Sequence, residues 1–422
     1  MIPRTISTRM MSSPAGKSRK KVDCAVYGCG LSASGALAIP KLVQSTENSN
    51  SELSAKETKY AKRVPFFNTA GIRHITSGFG FSLFASENRL WGAGINNRFQ
   101  IGGQLSSASK FQDYYISAKK IALPSDDLSL KILEISSGRA HSLILTSAGV
   151  FAIGDNNSGQ CGLDPARFPH SVGLPDLPLR PLPISLELSI VSVHCSMDSS
   201  FLVDSNGNVH SFGLNEDGQC GNGRYGVEWT PKRVIGDVTG VRIGRISGST
   251  DTIMATEVAA ADSGEKGGEV FIWGQTEYGQ AAGASDEIQL NTSRCLNLSQ
   301  SIGPIVSADA TSSSIIAQNQ RGEVFVWGVG VLGMGPDADR LTRPTRMDQP
   351  LFDGKEVTRI SAGNSAMSAI NSAGRLFVWG ENRFSSLGLN HSKRQLFPYQ
   401  LFVPGDVKTA ALGPDHSLFL VH

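Results

Sequence analysis

The chain of 422 residues carries 39 Lys and Arg against 37 Asp and Glu, a formal net charge of +2, so it is not as a whole an electrostatic nucleic-acid binder. That length is too great for one ordinary core unless the architecture is a repeat or a closed β structure. With 46 glycines and only 18% charged residues, the composition fits many turns and tight strand ends.

Residues 1–21 stand apart from the rest. Arg4, Arg9, Lys17, Arg19, Lys20 and Lys21 are interleaved with Ser and Thr, and no acid appears before Asp23. A basic, hydroxyl-rich, acid-poor start has the composition of a mitochondrial transit segment. A basic tail with a nuclear address at Lys17–Lys21 is the competing reading.

Repeats occupy 22–422. An aromatic or apolar residue followed by glycine recurs as Tyr27-Gly28, Trp91-Gly92, Ile153-Gly154, Phe212-Gly213, Trp273-Gly274, Trp327-Gly328 and Trp379-Gly380. These anchors are spaced as propeller blades with loop insertions would be. A second element precedes most of them: Gly138-Arg-Ala-His-Ser142 and its variants Ser196–Ser200, Gly248–Asp251, Gly363–Ala366 and Gly413–Ser417. Each leads into a short apolar strand, then a tight turn such as Asn206-Gly207 or Ala373-Gly374 suited to a hairpin. Within Val357–Asn390 the pattern is complete: strand, loop, strand, turn, strand, glycine, loop.

The ends complement each other. The last copy stops at His422 after the first half of the motif, and the first anchor has no strand pair before it. This predicts an all-β, seven-bladed β-propeller closed by pairing of N- and C-terminal strands, which removes exposed sheet edges. Gln44–Arg63, Asp164–Pro183 and Thr256–Gly268 read as loop insertions, the second as coil. Trp91, Trp273, Trp327 and Trp379 read as core residues at one fixed blade position.

No catalytic set emerges. There is no Walker A motif, no HExxH and no GxSxG elbow, and Gly28-Cys-Gly30 lacks the remaining spacing of a dinucleotide fingerprint. The six cysteines include no CxxC pair, so a zinc ribbon is not indicated and a reduced compartment is the simpler reading. No apolar run reaches the ~18 residues of a membrane span. No metal or cofactor is expected.

As a set, Gly-x-x-His-Ser at 138–142 and 413–417, coupled to Val-Trp-Gly at 326–328 and 378–380, resembles the regulator-of-chromosome-condensation repeat family, a seven-bladed propeller. Shorter stretches are similar to a mitochondrial branch of that family: Gly35–Pro40, Asn291–Leu296, Val324–Pro336, and Phe397-Pro398 with Pro404-Gly405. The resemblance implies guanine-nucleotide exchange on a mitochondrial, dynamin-type fusion GTPase. It also implies support of mitochondrial ribosome biogenesis through 16S rRNA and assembly proteins, in the matrix or at the inner membrane as a peripheral protein. A non-catalytic scaffold for protein or rRNA assembly is the alternative. By the same resemblance, Arg139, His141, Asp198, Asp251, Asp415 and His416 lie on the GTPase-facing rim. For His141 and His416 a structural role is the competing reading, since a buried imidazole is normally satisfied by hydrogen bonds. The loop histidine is replaced by Phe81, Ser199 and Ala366 in other copies, so the rim is not uniform. Lys119-Lys120, Arg242 with Arg245, and Lys393-Arg394 are candidate basic contacts for RNA.

Overall fold

A computed structural model describes residues 24–43, 57–102, 113–124, 129–168, 180–181, 188–258 and 267–422. The basic segment 1–21 lies outside these, as does most of each of the three insertions.

The strands form seven four-stranded antiparallel sheets. Blades 1 to 6 span 74–121, 132–181, 190–233, 243–295, 305–346 and 357–401. Blade 7 is built from both ends of the chain, in the order 57–63, 25–31, 416–421, 407–412. Ala25 pairs with Val421 and Gly30 with His416, so the ring closes by the strand pairing expected.

Each blade obeys one burial rule. The second and third strands are almost wholly buried, as in Ala366–Asn371 and Leu376–Gly380 of blade 6. They lie mid-blade, covered on both faces by neighbouring blades, so they read as unbroken apolar runs. The first strand of each blade lines the axis and is less uniformly buried, as in Val357–Ala362, where Val357 and Ile360 are buried and Thr358 and Arg359 exposed. The fourth strand faces outward, and in blade 5, Arg340–Arg346, it is largely exposed.

That fourth strand corrects two expectations. Glu57–Arg63, the end of an expected loop, is the outer strand of blade 7. Arg180–Pro181, inside the expected coil, pairs with Phe151 and Ala152 as the outer strand of blade 2. Neither has an apolar run; in Glu57–Arg63 only Thr58 is buried.

The anchors also shift. In each blade the residue that opens the second strand faces a glycine near the end of the third: Phe81 faces Gly94, His141 Gly154, Ser199 Gly213, Thr252 Gly274, Ser314 Gly328, Ala366 Gly380, and His416 Gly30. All seven glycines have positive φ, from 82° to 121°. A Cβ on any of them would meet the carbonyl oxygen of the residue just before the second strand, so only glycine fits. Trp273, Trp327 and Trp379 directly precede their blade's glycine, whereas Trp91 precedes Gly94 by three residues. Trp91 is therefore buried but two residues off the fixed position, which Ala93 takes. A slip of two keeps a side chain on the same face of a strand, so the apolar pattern hides it.

Candidate functional site

One face of the ring carries the loops between first and second strands together with the loops that follow the third strands. The latter are shaped by their own polar side chains. Asn96, Asn156, Asn215 and Asn382 each accept from the backbone N–H five residues on, at 2.8–3.0 Å. Gln160, Gln219 and Gln280 accept from the N–H two residues back, each at 2.8 Å. The loops of neighbouring blades are stitched together. Phe79 N donates to Arg139 O (3.2 Å), Arg139 N to Met197 O (2.7 Å), and Ser249 N to Ala310 O (3.2 Å).

Asp198, Asp251 and Asp415 occupy the same position in blades 3, 4 and 7. Each directly precedes the second strand, and its backbone carbonyl accepts a hydrogen bond from the residue after the positive-φ glycine, at 2.8–2.9 Å. The glycine thus fixes the point from which each carboxylate projects.

Arg139, Asp198 and Asp251 form one group across blades 2 to 4. The half-exposed Arg139 pairs with the buried Asp198 through Nη2, and its Nε donates to Oδ1 at 3.2 Å. Asp251 Oδ1 accepts from Gln219 Nε2 of blade 3 at 3.0 Å. Burial raises the Asp198 carboxyl above the usual range; Arg139 works against this, and the charges of Asp155 and Asp251 add to it. Burial, then the Asp217 charge, raise Asp251. Burial also raises Asp155, with Arg98 opposing. This stretch of the face therefore holds several crowded carboxylates against few cations. Asp155, Asp217 and Gln219 were not named as candidate site residues in the sequence; the signal was the Asn-x-x-x-Gln spacing at 96/100, 156/160 and 215/219.

Asp415 lies apart, where blade 7 meets blade 1. Its Oδ1 accepts from Gly80 N (3.3 Å) and from His416 Nδ1 (2.7 Å). The six candidate residues are thus not one site.

The two histidines lie beneath the loops rather than on them. His141 and His416 have no exposed surface. His141 Nε2 donates to Ser200 Oγ of blade 3 (2.9 Å), because Ser200 spends its own hydrogen on Gln160 O (2.7 Å). Burial, with the Arg139 and His194 charges, lowers the His141 imidazole to about 3, so it is neutral. His416 Nε2 sits 2.7 Å from Ser82 Oγ and 2.8 Å from Ser77 Oγ, both in blade 1. Ser82 and Ser200 each follow the residue that opens their second strand, so the two contacts are the same pin between blades. These histidines position the loops and present no atom to a partner.

Among the described residues, no cluster of His, Cys, Asp and Glu could hold a metal ion.

Residues 206–255 and 373–420 match the regulator of chromosome condensation (RCC1) repeat, and 132–160 match a second form of it. The chain is 32% identical over 414 residues to the RCC1-like G exchanging factor-like protein of Homo sapiens, covering 94% of this chain and 86% of that protein. The chain belongs to the RCC1-like repeat family. The mouse member is equally similar, at 32% over the same length. Among solved structures, human WBSCR16 superposes with a TM-score of 0.82 at 30% identity, over 94% of this chain and 98% of that one. Prp20p of Saccharomyces cerevisiae superposes with a TM-score of 0.73 at 18% identity, over 94% and 91%, a likeness of fold.

Proposed function

We propose that this chain is a guanine-nucleotide exchange factor or effector that docks a mitochondrial GTPase of the dynamin-type fusion class. The docking face carries Arg139, Asp198 and Asp251, and Asp415 extends it across the ring. The chain acts in the matrix or at the inner membrane. The observation that carries this is the crowded carboxylate group of blades 2 to 4, held on glycine-fixed loops within a family of exchange-factor-like propellers.

The mechanism needs no reacting group. Exchange requires that the propeller bind the nucleotide-free GTPase more tightly than the loaded one, and linkage makes the nucleotide weaken the propeller by the same factor. Moving the GTPase from almost wholly loaded to almost wholly open takes roughly 5.5 kcal/mol of differential binding. Carboxylates whose burial and mutual repulsion raise their free energy gain most when a cation arrives. The Lys and Mg²⁺ that hold the nucleotide phosphates are cations of that kind.

The test mixes the full chain with candidate mitochondrial GTPases loaded with fluorescent GDP. Accelerated release, weakened in Asp198→Asn and Asp251→Asn, supports the reading; release at the spontaneous rate for every candidate overturns it.

A second reading, a scaffold that binds mitochondrial rRNA and ribosome-assembly proteins, is favoured by the outer strands. Lys59, Lys62, Arg63, Arg340, Arg343 and Arg346 are exposed on the strands Glu57–Arg63 and Arg340–Arg346, which hold one acid, Glu57. RNA contact there would weaken steeply with salt.

A further inference from the structure

The first strands of the blades enclose an axial channel. Its space is about 270 Å³ toward the loop face and about 370 Å³ deeper in, and Arg245 and Arg359 wall both parts. They take equivalent places in blades 4 and 6, each the first paired residue after the bulge in its strand. Arg245 was grouped with Arg242 as a candidate basic contact for RNA; it lies on a first strand and walls the channel.

The acids nearby are already engaged. Asp309 Oδ1 accepts from Gly248 N (3.1 Å) and Ala310 N (2.9 Å), and Oδ2 accepts from Ala362 N (2.9 Å). Arg245 reaches that carboxylate only at 3.8 Å. Glu134 Oε2 accepts from Ser192 Oγ and Val193 N, each at 2.9 Å. His194 Nε2 donates to Gly248 O at 2.7 Å. Among the described residues, the Arg359 guanidinium makes no hydrogen bond and no ion pair. Burial, then the Arg245 charge, lower its guanidinium below the usual range. Two cations thus face one water-accessible space, and one of them lacks any acceptor.

We propose that the axial channel binds a phosphate group, free or as an ester, between Arg245 and Arg359. A guanidinium offers paired N–H donors that match a phosphate's oxygens, so two of them can grip one anion from two sides. The anion supplies the acceptor that Arg359 lacks and offsets the repulsion between the pair. It also joins blades 4 and 6 across the axis, so binding stabilises the ring.

The test titrates the full chain with inorganic phosphate in a non-phosphate buffer at low ionic strength, read by calorimetry and by ³¹P line broadening. One saturable site is expected. Arg359→Gln should weaken it at least tenfold, and Arg359→Lys, which keeps the charge but loses the fork, by less. Lys232→Gln, at an exposed position of the outer strand Gly226–Arg233, should leave it unchanged. GDP in place of phosphate assigns the source: tighter binding through the same arginines points to an ester, weaker binding to the free anion. Absence of saturable phosphate binding by the folded wild-type chain overturns the proposal, as does unchanged affinity in folded Arg359→Gln. If that variant does not fold, Arg245→Gln takes its place with the same criteria.

Discussion

His141 of blade 2 donates through Nε2 to Ser200 Oγ of blade 3 at 2.9 Å, and Ser200 passes its own hydrogen back to Gln160 O of blade 2. The bond ties two blades directly beneath the loop that carries Arg139 and Asp198. Replacing His141 by Ala leaves a cavity and an unfilled acceptor. Urea unfolding should show a loss of about 1–3 kcal/mol, with any GTPase affinity of the remaining folded protein little changed.

The same imidazole makes stability depend on pH. Its folded value is depressed from the ordinary 6.5 to about 3, so the unfolded chain takes up the proton first. Its stabilising contribution is fully present above about pH 6.5 and falls as pH drops toward 3. The slope contributed is at most ~1.4 kcal/mol per pH unit. Comparing unfolding of the wild type and His141→Gln between pH 7 and 4 should show a shallower fall in the variant.

The Arg139–Asp198 pair lends itself to a double-mutant cycle. Arg139→Ala strands a buried carboxylate, but the arginine is half exposed, so the screened cost is about 1–2 kcal/mol. Asp198→Asn should recover part of that loss in the double variant. A coupling energy near zero would mean that the pair contributes nothing to holding the loop.

Gly274 has φ +82°, and a Cβ on it would collide with the Asp251 carbonyl. Gly274→Ala should cost more than about 1 kcal/mol and should also displace Asp251. Gly279, at the same φ, has open space around it, so Gly279→Ala should cost less. Thermal melts of the two variants give the comparison.

Two equivalent tryptophans should differ. Trp327 Nε1 donates to Gln280 O at 2.8 Å, whereas the buried Trp379 Nε1 has no partner among the described residues. Trp→Phe should therefore cost about 1 kcal/mol more at 327 than at 379.

What could be read in the sequence follows from where burial is two-sided. The second and third strands, the blade count and the closure at Ala25–Val421 all left apolar runs or glycines. The outer strands Glu57–Arg63 and Arg180–Pro181 did not; Glu57–Arg63 buries only Thr58. The two-residue offset of Trp91 left no trace, since period-two alternation is blind to it. Gly-x-x-His-Ser named His141 and His416 but not their direction, which depends on a serine in the next blade. Arg245 and Arg359 each look like one polar residue in a short strand; only the ring brings them to the same channel.

The shared seventh blade also governs when the molecule can exist. The strand Ala25–Leu31 is synthesised first and its partner His416–Val421 last. Until that partner arrives, blades 1 to 6 form an open arc with two bare ends, and blade 1 lacks the neighbour whose His416 meets Ser77 and Ser82. Ring closure is thus a single late event over the greatest sequence separation in the fold, the slowest kind of contact to form. A chaperone that shields the arc's ends would act in that interval, and a lesion in the last strand would leave six sound blades without a finished protein.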